Sequence, residues 1–196
     1  MPLSRLCSHI RFAALDFESA GAEPGDTDTP VQIGITSSLL GAAPETWTSY
    51  ISTDKPILWS AARIHGITKE HLRNAPAFPE LWPAISARLR DCVLVGHNLG
   101  TEKRFLRAFP GHGFGPWLDT LILSRECLPG LDDYSLGTVC GVLGLVPEVE
   151  ELVPEKSWHD ALFDAAASFV LLRCLVRELQ LEQSPLYMLG NAIREK

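Results

Sequence analysis

No stretch of this chain approaches the ~20 consecutive apolar residues that a membrane-crossing helix needs. The longest candidate, residues 168–176, is interrupted by Arg173. An apolar run of signal-peptide length is also missing before Asp16, so no secretory leader and no membrane partner are expected. Cysteine is sparse: Cys7, Cys92, Cys127, Cys140 and Cys174 are odd in number and widely spaced, with no C-x-x-C pair. That pattern argues against a disulfide framework and for reduced core thiols in a cytoplasmic protein. The six histidines show no H-x-H or H-E-x-x-H spacing, which disfavours zinc. Basic residues are outnumbered by acids, 17 to 24, for a formal charge of −7. A protein so charged does not wrap duplex phosphate tightly, although weak, salt-sensitive binding of a short strand remains open to it. Repeats, linkers and low-complexity tracts are lacking, so 196 residues at 46% apolar read as one domain.

What the chain does contain centres on residues 11–18, an apolar run that ends in Asp16 and Glu18 around a single phenylalanine. As a strand it points Phe12, Ala14, Asp16 and Glu18 to one face and Ala13, Leu15 and Phe17 to the other. Apolar residues on both faces predict an interior strand covered on both sides. The two acids then stand about 6.6 Å apart, twice the rise per residue. Burying them together is costly unless protons or cations offset the charge, and carboxylate oxygens suit magnesium or manganese. The alternative is a strand running out into water.

A Gly/Pro-rich turn at 21–30 precedes two further predicted strands, Val31–Leu39 and Glu45–Ile51, which short connections allow to form an antiparallel meander. Residues 55–75 read as irregular apart from a helical turn at 68–72. A helix is expected over 79–90, a buried strand at 92–95, a helix over 101–109 and a short strand at 117–120. Another helix is expected over 134–143, capped by Asp132 or Asp133, followed by an acidic loop over 144–156. A last helix runs from near Ser157, with Asp160 completing a capping box, to about Leu179. These elements make a layered α/β domain.

Two more acids fall on stripes that should be apolar. Glu102 shares a helical face with Phe105, Leu106 and Phe109, and Asp164 shares one with Ala167, Ser168, Leu171 and Leu175. A first-turn acid favoured by the helix dipole would account for Glu102 equally well, but less so for Asp164. His159 lies five residues before Asp164, about 140° away on a regular helix, so it must sit at the frayed start to reach the same site. There it suits a general base, or a solvated capping histidine. Trp59 and Trp158 flank the same region as candidate base-stacking or packing residues. Lys103, Arg104 and Arg107 form a modest basic face, and His97 and Asn98 read as turn and cap hydrogen-bonders.

Three blocks, Asp16-Phe-Glu18, Gly96-His97-Asn98 through Glu102 to Leu106, and His159-Asp-Ala-Leu-Phe-Asp164, resemble the DEDDh (DnaQ-like) 3′–5′ exonucleases of the ribonuclease H-like superfamily. Residues 62–68, 75–78, 119–121 and 133–136 also match, so the likeness covers about 11–179 and leaves 180–196 as a tail. The resemblance implies an α/β fold with a mixed five-stranded sheet, strands one to three antiparallel, flanked by helices. It implies that Asp16, Glu18, Glu102 and Asp164 hold two Mg²⁺ or Mn²⁺ ions and that His159 deprotonates the attacking water. It further implies release of nucleoside 5′-monophosphates from a single-stranded 3′ end. His65 would contact the terminal nucleotide, and the backbone at Ser19 and Ala20 its 3′-hydroxyl. Members of this family include the proofreading exonucleases of DNA polymerases, so a polymerase or other nucleic-acid machinery is an expected partner.

The chain departs from the family in three places. Glu102 stands where aspartate is usual, Ser19-Ala20 replaces a pair that often carries two hydroxyls, and Ser60 replaces an acid found in some relatives. Three functions therefore stay open on sequence: a single-strand exonuclease acting on DNA, a 3′ exoribonuclease or short-oligonucleotide enzyme, and a catalytically impaired binding module of the same fold. Nothing in the sequence separates DNA from RNA, because 2′-hydroxyl readout depends on pocket shape.

Overall fold

A computed structural model of the protein describes residues 2–194. The double-faced strand forms as β1 (Arg11–Ser19), flanked on one side by β2 (Pro30–Leu39) and β3 (Glu45–Tyr50) in an antiparallel meander. On its other side β1 pairs parallel with β4 (Val93–Gly96), and β4 pairs parallel with β5 (Trp117–Asp119). The expected mixed sheet with strands one to three antiparallel is present. Its count is six rather than five, because β6 (Ile193–Arg194) adds antiparallel to β5, giving the order β3-β2-β1-β4-β5-β6.

Helices pack on both faces. α1 (Trp59–His65), α2 (Lys69–Leu72), α3 (Trp82–Leu89), α4 (Gly100–Leu106) and α5 (Thr120–Cys127) are joined by α6 (Leu136–Val142), α7 (Val146–Leu152) and α8 (Ala161–Glu178). Phe12 and Ala14 meet α8 in one core cluster, whereas Ala13, Leu15 and Phe17 meet Ile85, Leu89 and Phe105 in another. The alternation read from the sequence thus divides the two cores. α8 is buried along most of its length because Ala165, Ala166 and Ala167 allow close approach to the sheet while Phe163 and Phe169 fill the space around it.

Several expected boundaries move, each for a local reason. The segment read as irregular holds α1, which buries none of its own residues and so gives no apolar periodicity to read. The acidic loop contains α7, whose first turn accepts Pro147 and whose Val149 is buried against the α8 cluster. Packing, together with the Glu148–Arg173 ion pair, holds a helix there that composition does not announce. α6 is capped by Ser135, whose hydroxyl accepts from the Thr138 amide, while Asp133 instead receives the Ser135 hydroxyl and amide. α8 begins at Ala161 with Asp160 as its cap rather than near Ser157, because His159 has φ +67° and lies outside the helix. The expected tail is part of the body: Leu186, Leu189 and Ala192 are buried in the cluster around α8.

Candidate active site

The end of β1 carries Asp16 and Glu18 on the face that α8 covers. Asp16 pairs across the sheet with Gly34, and a Cβ at Gly34 would lie only 2.2 Å from the Ala161 carbonyl oxygen. Glycine there lets the first turn of α8 rest directly on the sheet beside Asp16. Glu18 pairs with Gln32, whose buried side chain fixes that turn from both ends of its amide. Gln32 Nε2 donates to Asp160 Oδ2 (3.1 Å), and its Oε1 accepts from the Ala161 amide (3.1 Å). The same Asp160 accepts from the Leu162 amide and from Lys156 Nζ. The start of α8 is thereby fastened to β2, which directs Asp164 toward β1. His159, just outside the helix, donates its backbone N–H to Asp164 Oδ2 (3.3 Å).

Glu102 arrives from the other side. The turn after β4 places Asn98 at φ +72°, and Asp119 at the end of β5 accepts from the Asn98 amide (3.0 Å) and the Leu99 amide (3.4 Å). Asp119 also caps α5 through the Leu121 amide. At Gly96 a Cβ would stand 2.8 Å from Leu99 Cδ2, the movable end of a side chain, and 3.8 Å from Glu102 Cγ, so Gly96 lies directly beneath the start of α4. Glu102 is 4% exposed, on the same face as Phe105, Leu106 and Phe109, as its stripe predicts.

The acids from these three segments converge. Asp16 is held well above the ordinary carboxylate range, first by burial and then by the negative charges of Glu102, Asp164 and Glu18. Burial and the charges of Asp164 and Asp160 raise Glu18 to about 8. Burial, reinforced by Asp160 and opposed by the His159 amide, raises Asp164 to about 7. Glu102 is also raised, chiefly by burial and further by Asp119. No lysine or arginine forms an ion pair with any of the four among the described residues. Glu102 Oε2 and Asp164 Oδ1 are buried without a hydrogen-bond partner among the described residues. Glu18, His159 and Asp164 each offer a donor atom, all within 4.8 Å of one another. A hard, oxygen-preferring divalent cation fits this donor set and its orphaned oxygens.

The remaining predicted contacts differ in placement. His65 Nδ1 accepts from the Ile67 amide, so its Nε2 carries the proton and donates to the Ser19 carbonyl (3.0 Å). Burial, more than the nearby His159, lowers its pKa. The Ala20 amide donates to the Thr29 carbonyl and the Ala20 carbonyl accepts from Leu58, so its backbone is committed to the protein. Trp158 packs edge-on against Phe163 with ring centroids 4.8 Å apart, whereas Trp59 stands 72% exposed. His97 contacts the Tyr134 carbonyl and Thr120, as a turn residue should. Arg104 pairs with Asp28, and Lys103 lies over the Trp117 ring. Two residues that build the site, Gln32 and Asp119, carry little local signal in the sequence. A buried glutamine facing the far side of a strand gave no periodic signal, while Asp119 ahead of a helix-compatible run was readable as a cap.

A family model described as exonuclease (RNase_T) matches residues 13–172. A PolC-type DNA polymerase III from Thermotoga maritima is 33% identical over 141 residues, 69% of this chain and 10% of that protein. A DNA polymerase III subunit epsilon-like protein from Rhodobacter capsulatus is 30% identical over 165 residues, 81% of this chain and 23% of that protein. The chain thus spans a tenth to a quarter of the length of these relatives. Among solved structures, exonuclease X in complex with 5′ overhanging duplex DNA superposes with TM-score 0.71 at 24% identity, covering 89% of this chain and 97% of that one. The nuclease domain of 3′hExo, a DEDDh family member bound to rAMP, gives TM-score 0.73 at 13% identity, covering 95% and 96%. With its acids gathered at the end of the central mixed sheet, the chain belongs to the exonuclease family.

Proposed function

We propose that this protein is a two-metal 3′–5′ exonuclease that removes nucleoside 5′-monophosphates from single-stranded 3′ ends, with DNA as its main substrate. The observation that carries the reading is Asp16, half-buried and facing the charges of three other carboxylates, with no cationic side chain among the described residues paired to any of them. Asp16, Glu18, Asp164 and Glu102 would hold two Mg²⁺ or Mn²⁺ ions, which when bound supply activation of water and charge stabilisation at the leaving 3′ oxygen. His159 sits on a non-helical residue beside Glu18 and Asp164, and its imidazole accepts the proton of the attacking water. Gln32 holds the backbone that carries His159 and Asp164, and Asp119 holds the turn that leads to Glu102. His65, through the Ser19 carbonyl, shapes the rim that receives the terminal nucleotide, with Ser19 lining it and the fully buried Ala20 supporting it from beneath. We place the protein in the cytoplasm, in keeping with five free cysteines, and assign it to polymerase-associated or other nucleic-acid machinery, as the PolC-type and epsilon-like relatives suggest.

The test is a 5′-labelled ladder on matched DNA and RNA strands with Mg²⁺, Mn²⁺ or EDTA. Stepwise shortening from the 3′ end, abolished by EDTA and faster on DNA, is expected. Faster shortening of RNA would reassign the substrate. Binding without shortening under any metal would make the protein a binding module.

A further inference from the structure

The helix α1 presents its side chains outward yet is anchored at both ends to the residues that follow Glu18. At its start, the Leu58 amide donates to the Ala20 carbonyl (2.8 Å), and Leu58 fills the space beside Gly21, where a Cβ would lie 3.2 Å away. At its end, His65 Nε2 donates to the Ser19 carbonyl. The helix then stops at Gly66 in the left-handed region (φ +68°). A seven-residue helix spans only about 10 Å, so with both ends tied to Ser19 and Ala20 the whole of α1 stays beside the end of β1. On this fixed rim Trp59 is 72% exposed, far more than tryptophan usually is. Its indole is not bare of charge: the Arg63 guanidinium carbon, one turn on, lies 4.6 Å from the ring centroid. Packing does not explain an indole so exposed, and α1 buries nothing beneath it.

We propose that Trp59 and Arg63 form a clamp that stacks an unpaired nucleobase of the strand whose 3′ end lies at the carboxylates. The proposal rests on the nucleic-acid reading of that site. An indole face offers stacking to any base, and a guanidinium beside it offers both a second planar surface and a contact for phosphate. The pairing answers a difficulty in the protein's own charge. With a formal charge of −7, general attraction to a polyanion is absent, so strand retention needs a local device that draws on stacking more than on charge. The strand's unpaired bases are the occupant that matches an exposed aromatic face next to a cation, continuous with the end of β1.

The experiment measures anisotropy of a short fluorescein-labelled oligothymidylate with Ca²⁺ in place of Mg²⁺, in parallel with shortening assays in Mg²⁺. Trp59→Ala is expected to weaken oligothymidylate binding roughly tenfold, Trp59→Phe to restore most of it, and Arg63→Gln to weaken it a few-fold. An abasic strand of the same length is expected to bind wild type and Trp59→Ala alike. In the shortening assay, KM should rise for Trp59→Ala with kcat held, while hydrolysis of a thymidine 5′-phosphate p-nitrophenyl ester, which has no upstream base, stays unchanged. Equal binding of oligothymidylate by wild type and Trp59→Ala overturns the clamp, as does an equal loss on the abasic strand. Trp59-dependent binding by a protein that shortens nothing supports the clamp and instead defeats the exonuclease reading.

Discussion

At Asp16 the negative charges of Glu18, Glu102 and Asp164 meet with no basic side chain among the described residues paired to them, and burial and mutual repulsion raise the pKa of the carboxylates. A carboxylate whose folded pKa is raised stabilises the fold fully at pH values below its unfolded pKa. That contribution is lost as pH climbs through the folded value. For Glu18 the window runs from 4.5 to about 8, and for Asp164 from 3.8 to about 7. The metal-free protein should therefore lose thermal stability as pH rises across that window, and saturating Mn²⁺ should restore it at pH 8. Melting curves in EDTA and in Mn²⁺ across this range check both signs; a flat profile in EDTA would mean that the acids do not share one site. The role proposed for His159 differs from that of the acids around it. Replacing it with alanine is expected to lower kcat by roughly 10²–10⁴-fold while leaving Mn²⁺ affinity close to wild type by calorimetry. Asp164→Asn should instead lose metal and turnover together. A large drop in Mn²⁺ affinity for His159→Ala would make the imidazole a ligand.

The elements bring these residues together through contacts that local sequence does not encode. Short-range patterns gave the division of β1 into two faces, the buried stripe from Glu102 to Phe109 and the stripe of Asp164, because each depends only on helix or strand periodicity. The docking of α8 on β2 depends on Gln32 reaching Asp160 and Ala161, a pairing across more than half the chain, and on the bare backbone of Gly34. Neither position stands out locally, since a glutamine and a glycine in a strand read as neutral or weakening. Helices α1 and α7 were missed because the first buries nothing and the second owes its place to packing against α8. The importance of that docking is testable. Gly34→Ala would drive a methyl group into the Ala161 carbonyl and should cost about 1–3 kcal/mol by urea denaturation, with Mn²⁺ affinity falling as well. Gln32→Met keeps the volume but strands the Ala161 amide and leaves Asp160 Oδ2 with Lys156 alone, so a loss of about 1–3 kcal/mol is expected. If either variant kept wild-type stability and metal binding, the fastening of α8 to β2 would not be what positions Asp164.

For the whole molecule, the carboxylate-bearing end of the sheet depends on a core that the motifs alone do not close. The blocks that resemble the family end before residue 180, yet the chain beyond them returns to the body. Leu6 bridges to Pro185, the Leu186 amide donates to the Arg5 carbonyl, and β6 completes the sheet beside β5. Leu186, Leu189 and Ala192 are each no more than 2% exposed, in the cluster that also holds Phe12, Phe163 and Phe169. β5 is short, and its end carries Asp119, which sets the turn before Glu102. Removing residues 180–196 would expose this side of α5 and α8 and leave β5 as a bare edge. Burial of each leucine is worth about 2–5 kcal/mol by the cost of truncating such side chains, comparable in sum to the whole stability of many domains. The truncated chain is therefore expected to unfold without a cooperative transition or to melt far below the full chain, and to lose Mn²⁺ binding with it. Single substitution separates this from a general effect of shortening. Leu189→Ala should lower stability by a few kcal/mol while leaving kcat near wild type at temperatures where it stays folded, because Leu189 touches the core and not the acids. A truncated chain that melts like the full one would show that β1 through α8 closes its core without the C-terminal strand.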